Sequence, residues 1–398
     1  MTTRRGFLTL AAGAAGVALL DGCDARPAPA ASPVPPDLLL VETEHGLGVV
    51  RAGRPFLAGT AVPTPDGTHI FATAAAGPDT TLTTIETATG RETGRIRLAG
   101  SWRPQVASDQ QMVALTANPA VTGRAHTTIV VAEPHTERYR LELTGNYEPD
   151  AFARMDTGLC VLEWLPPEKP DRYRVKLLGL EGTSGGLFTR DKVPVPPGTE
   201  QEMHGLRRQA AYSPGANALY TLYTHQPGAA GSGWDEETDA FVHTLDLTVG
   251  WAYCLDLPEP FGTGSAAAHA IAVTPDARRL VVADLSHGRL ALADTEKLIV
   301  QAVVPVPTGT GTASATVSPD CRWLYLGIGD QIHVVDLETR AAVGRRTVGG
   351  EVCGLAVSSD GSRLLVGGSG TIGWWDASSG VPLAHLPVPG LTRLVRTV

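Results

Sequence analysis

The sequence predicts an all-β chain, a ring of four-stranded antiparallel sheets, eight in number with seven as the alternative. Three observations carry this. One phrase recurs in the last third of the chain: Ala270-Ile-Ala-Val-Thr-Pro-Asp, then Arg279-Leu-Val-Val-Ala-Asp, then Leu290-Ala-Leu-Ala-Asp. It returns as Ser314-Ala-Thr-Val-Ser-Pro-Asp, Trp323-Leu-Tyr-Leu-Gly and Ile332-His-Val-Val-Asp, and again from Gly354 to Asp376. Second, seven turn anchors recur, at Asp66, Asp109, Asp156, Pro214, Asp276, Asp320 and Asp360, spaced about 44 residues apart where no insertion intervenes. Third, the two ends are complementary fragments: residues 38–58 supply three strands without a first, and 391–398 supply a first strand alone. Four short strands in about 44 residues make a propeller blade, and a blade shared between the termini closes the ring without an open edge.

In chain order, the first 37 residues lie outside that pattern. Residues 8–20 form an apolar run too short to span a bilayer, and a Cys follows at position 23. The stretch 24–36 holds five prolines and is expected to stay extended, because Pro fixes φ near the polyproline value. The expected organisation is therefore a signal peptide (1–22), a lipidated Cys and Pro/Ala-rich tether (23–37) and a β-propeller (38–398). Within the propeller, the opening apolar strand of a blade runs into a turn whose fullest form is Ser/Thr-Pro-Asp, at Thr64-Pro65-Asp66, Thr274-Pro275-Asp276 and Ser318-Pro319-Asp320. In that turn Pro presets φ, Asp accepts backbone N–H groups and the next residue takes positive φ. The units around Asp156 and Pro214 are longer and are expected to carry insertions.

Two resemblances add to this reading. Thr3-Arg4-Arg5-Gly6-Phe7-Leu8 resembles a twin-arginine export signal, and Leu20-Asp21-Gly22-Cys23 resembles a bacterial lipobox, departing from it at Asp21. These imply export of a folded body, lipidation of Cys23 and residence on the outer face of the cytoplasmic membrane; secretion after cleavage at Ala28-Pro29-Ala30 is the alternative. The repeats resemble YVTN-type propeller repeats, and Trp375-Asp376 is similar to the dipeptide of the related WD repeats. The chain as a whole resembles bacterial secreted propeller lipoproteins. Propeller repeats imply a fold strongly and a task weakly.

Composition narrows the task. With 41 acidic against 32 basic residues and no basic stripe, nucleic acid is not an expected partner. Membrane contact is expected through the lipid alone, and the body is expected to be a monomer. Four cysteines (160, 254, 321 and 353) lie in different repeats without paired spacing, so free thiols are expected. No nucleophile, metal or dinucleotide motif stands in a supporting context, so no catalytic residue, metal or cofactor is assigned.

Position is the remaining guide. Fourth-to-first and second-to-third connections share one face of a propeller, and residues 195–208 and 225–239 are expected to be long loops on it. The candidate binding face comprises Arg103, Asp150, Glu202, His204, Arg207, Arg208, Trp234, His269 and Glu351. Changes at Glu338 and Arg363, in turns of the opposite face, are expected to be silent for partner binding. A membrane-tethered propeller binding a protein, peptide or envelope saccharide is the expected function. The alternative is an enzyme of lactonase- or quinoprotein-like type.

Overall fold

The computed structural model describes residues 34–118, 122–204, 208–225 and 240–398. They form eight four-stranded antiparallel sheets. Blade 1 takes three strands from residues 39–59 and its first from Leu391–Thr397; blades 2 to 8 span 61–98, 102–144, 146–203, 208–256, 269–305, 314–347 and 354–387. First strands of neighbouring blades lie against one another, as His269–Val273 does on Ser314–Val317, and Ser314–Val317 on Gly354–Val357. They therefore surround the central channel, and each fourth strand is outermost.

The apolar runs of the repeats follow from burial on both sides. In Arg279–Asp284, Leu280 and Val282 pack towards blade 5, while Val281 and Ala283 pack towards blade 7. Eight apolar clusters fill the eight gaps between neighbouring blades, including the gap between blades 8 and 1 and that between blades 1 and 2. The ring is closed, and the count is eight. The anticipated turn chemistry recurs: Thr274 Oγ1 donates to Asp276 Oδ1 at 2.5 Å, which also accepts the Arg278 N–H at 3.1 Å. The next position has positive φ, at Gly67 and Gly361 but also at Ala277 and Cys321, where a side chain must bear the left-handed strain.

Leu391–Thr397 pairs with Leu39–Thr43 as the terminal fragments imply. The body also draws in more of the N-terminal segment than its composition suggests. Val34 packs on the core between blades 8 and 1. The Asp37 carboxylate accepts from Arg363 Nε and Nη2 at 3.1 and 3.0 Å and from Trp374 Nε1 at 2.8 Å. Arg363, expected to be silent for partner binding, is part of the latch. A Pro-rich stretch predicts extension but not the bidentate pair at its end.

Blade 4 differs most from expectation. Its fourth strand is only Glu202–Met203, and residues 180–201 before it are a third-to-fourth connection rather than the first part of an upper loop. This strap leaves the lower edge of blade 4, where Arg154 donates to the carbonyls of Val249, Ser184 and Gly186 at 2.7, 3.0 and 3.0 Å. It bridges Phe188 to Trp251 on the outer strand of blade 5. Arg190 then reaches the Lys297 and Glu296 carbonyls of blade 6 at 2.8 and 2.6 Å. An otherwise open sheet edge is thereby covered.

Candidate functional site

The upper face is the one carrying the fourth-to-first and second-to-third connections. Its most developed part lies over blades 5 and 6, beside residues 226–239. Arg207 and Trp234 lie outside the described residues, as does the side chain of Arg208. His269 opens the first strand of blade 6 and is fully buried. Its Nδ1 faces the Ser265 carbonyl at 2.9 Å and therefore carries the ring proton; its Nε2 accepts from the Gly262 N–H at 3.3 Å. Asp284 Oδ2 lies slightly farther from Nε2, at 3.5 Å.

Asp284 is also fully buried. It accepts from Ser286 Oγ at 2.5 Å, from the Ser286 N–H at 3.0 Å and from His287 Nδ1 at 2.8 Å. Burial alone would raise its pKa, but hydrogen bonds and charge from His269, Ser286 and His287 hold the carboxyl well below the usual carboxylate range. His225 completes the group, with its ring edge-on to His269 at 6.4 Å between centroids and its Nε2 at 2.8 Å from the Gly264 carbonyl. Two connections, 257–268 and 285–288, are thereby pinned to the residues that lead into 226–239.

Ser286, His287 and Asp284 have the composition of a hydrolytic triad but not its wiring. In a triad the serine and the acid use opposite nitrogens of the imidazole. Here Ser286 Oγ and Asp284 Oδ2 both approach Nδ1, at 3.2 and 2.8 Å, and the serine donates its proton to Asp284. The arrangement holds a surface in place.

The other sequence-nominated residues are dispersed. Arg103 lines the channel in blade 3, where Gln105 accepts from its Nε and Nη2 at 2.8 and 2.9 Å when the amide oxygen faces it. Nearby, Arg124 Nε donates to Asn146 Oδ1 at 2.8 Å and Trp164 Nε1 to Glu148 Oε2 at 3.0 Å. Glu351 is exposed in the connection into blade 8. His204 follows the short fourth strand of blade 4 on the upper side. Glu202 stands on that outermost strand, paired with Arg172 at 2.7 Å, and is not at the channel mouth. Asp150 is not at the mouth either: it is an extra residue in its strand and lines the lower part of the channel.

Sequence reasoning missed Asp284, His287 and Arg124. A signal for Asp284 existed, because the equivalent position is Ile328 in blade 7 and Gly368 in blade 8. An acid ending an apolar strand against its own repeat pattern marks a position doing something else. Among the described residues, Cys160, Cys254, Cys321 and Cys353 are free, and no group of three or more histidines, cysteines or acids is placed to hold a metal ion.

No protein-family model and no curated protein matches the chain. Solved structures do. Apo AztD from Citrobacter koseri is similar at 14% identity over 91% of this chain and 97% of that one, with a TM-score of 0.56; a second crystal structure of Citrobacter koseri AztD gives 12%, 91%, 96% and 0.57. The dihydro-heme d1 dehydrogenase NirN, in complex with DHE, is similar at 14% identity over 93% of this chain and 76% of that one, with a TM-score of 0.55. At these identities the likeness is one of fold, and the chain is an eight-bladed β-propeller.

Proposed function

We propose that this protein is an extracytoplasmic binding module, held to the outer face of the cytoplasmic membrane by a lipid on Cys23, whose upper face takes a protein, peptide or envelope saccharide. The observation that carries the reading is the floor over blades 5 and 6. Its buried imidazole and carboxylate are spent on one another and on backbone groups, next to a long insertion, which is how a rigid scaffold presents a recognition loop. Fold likeness does not separate binding from catalysis, since one similar ring bears the name of a dehydrogenase. The miswired serine, histidine and aspartate favour binding.

The address rests on Arg4, Arg5 and Cys23. Among the described residues no helix is long and apolar enough to cross a membrane. Val34 and Asp37 join the ring beside the lower turns, where Asp37 meets Arg363.

The test is fractionation followed by capture from detergent-solubilised membranes. Cys23→Ala is expected to release the body from the membrane fraction. Replacing residues 229–235 by a short Gly-Ser turn is expected to abolish capture while circular dichroism stays unchanged, because shortening a loop costs little entropy. Glu338→Ala, on an exposed lower turn, is expected to capture normally. Capture that survives the loop replacement but fails with lower-face variants would move the site to the other side of the ring.

A further inference from the structure

The lower end of the channel departs from the repeat pattern in two adjacent blades. In blades 2, 6, 7 and 8 the turn acid is held within its own turn, by Thr64, Thr274, Ser318 and Ser358. In blade 3 the acid comes one position early, directly after Ser108. In blade 4 Arg154 follows the first strand where the other blades place Ser or Thr. The two carboxylates are consequently bonded across blades. Asp156 Oδ2 accepts from Ser108 Oγ at 2.5 Å; Asp109 accepts from the Asp66 N–H at 2.7 Å and from Tyr212 Oη, of blade 5, at 3.3 Å.

The same blades are bulged. The first strand slips register at Gln105 in blade 3 and at Asp150 in blade 4, and blade 1 slips at Val395 and again, nearer the upper face, at Thr392. First strands of blades 2, 5, 6, 7 and 8 pair without a slip. A bulge re-aims a side chain, and bulges collect beside binding sites. Gln105, Asp150 and Val395 all line one cavity of about 560 Å3 in the lower channel, a size that suits a small organic ligand.

One part of the cavity wall is apolar, with Val106, Phe152 and Val395. Acids stand in the same wall: Asp109 and Asp156, with Arg396 beside them, whose Nη2 donates to the Thr64 carbonyl at 2.7 Å and whose Nη1 donates to that of Pro65. Partial burial, with the nearby Asp66 charge, pushes the Asp109 carboxyl above its ordinary value, and burial does the same to Asp156. The acids are not gathered as metal ligands; they stand around a space larger than an ion.

We propose that the lower channel binds a small organic cation, an amine or guanidine on a short apolar body, with Asp109 and Asp156 taking the charge and Val106 and Phe152 the body. This site is separate from the upper face and does not depend on it.

The test is thermal unfolding and titration calorimetry of the full chain in detergent. Phenethylamine, cadaverine and agmatine are the probes, with phenethyl alcohol and 1,5-pentanediol as uncharged counterparts. At least one amine is expected to give a saturable rise in Tm and to bind about tenfold or more tighter than its alcohol. Asp109→Asn with Asp156→Asn is expected to lose at least about tenfold in affinity. Without ligand this variant is expected to melt no lower than the wild type, since burial disfavours both charges and each amide oxygen can still accept. Asp156→Asn alone must weaken binding in the same direction, which keeps the test open if the double variant does not fold; Glu338→Gln must not. The proposal is overturned if none of the three amines binds, if the alcohols bind as well, or if the Asn variants bind like the wild type.

Discussion

At the scale of single residues, buried charge ties the strands of blade 4 together. Glu163, in the second strand of blade 4, is almost fully buried. Its carboxylate takes Arg174 Nε at 2.5 Å, Lys176 Nζ at 2.9 Å and the Tyr147 hydroxyl at 2.9 Å. Burial works against its charge, but the bonds from Arg174, Lys176 and Tyr147 outweigh it and lower its pKa below the ordinary 4.5. Burial and the same carboxylate push Tyr147 up to about 12. Because the Glu163 pKa is lower folded than unfolded, its stabilisation is complete above the unfolded value and lost as pH falls through the folded one. Glu163→Gln is expected to cost about 1–3 kcal/mol at neutral pH, the worth of hydrogen bonds to a charged group. The gap in Tm between variant and wild type should shrink between pH 7 and pH 3; a constant gap would mean that the charge contributes nothing. Residue-scale signals were legible only against the repeats. Asp284 and Arg154 stand out because other blades carry something else there, whereas the Glu163 cluster lies in a blade whose pattern is too irregular for any departure to show.

At the scale of elements, strands were legible and connections were not. A strand buried on both faces must be an unbroken apolar run, and its turn must accept positive φ, so the blades can be read from left to right. The 180–201 strap has no period. It is held by guanidinium-to-carbonyl bonds from Arg154 and Arg190, whose partners lie as far as 107 residues away in sequence, and nothing local announces them. Reading 195–208 as an upper loop placed Glu202 at the channel mouth when it belongs to an outer strand. The latch was legible because two fragments of one pattern sat at opposite ends. Removing residues 391–398 strips Leu391 and Leu394 from the core between blades 8 and 1. At about 1.5–3 kcal/mol each, these two side chains represent a large part of an ordinary domain's stability. The truncated chain is expected to aggregate or to melt far below the intact one in calorimetry and sedimentation. An equally stable monomer would contradict the shared blade.

At the scale of the whole molecule, the ring offers two mouths with different chemistry. The upper one carries the long insertion, the pinned histidine–aspartate floor and the scattered charges of Arg103, Glu351 and Arg393. The lower one carries the acid-lined cavity and receives the N-terminal segment through Asp37 and Arg363. Closure made this scale the most legible, since seven anchors and one blade shared by the termini must give eight gaps to fill. Which mouth serves a partner was not legible, because residues 226–239 carry no repeat pattern in the sequence. Backbone hydrogen exchange on the protein with and without its captured partner tests the central claim most directly. The account predicts slowed exchange in 204–208, 224–240, 257–268 and 285–288, with the lower turns and the 180–201 strap unchanged. Protection confined to the lower turns, or none on the upper face at saturating partner, would contradict it.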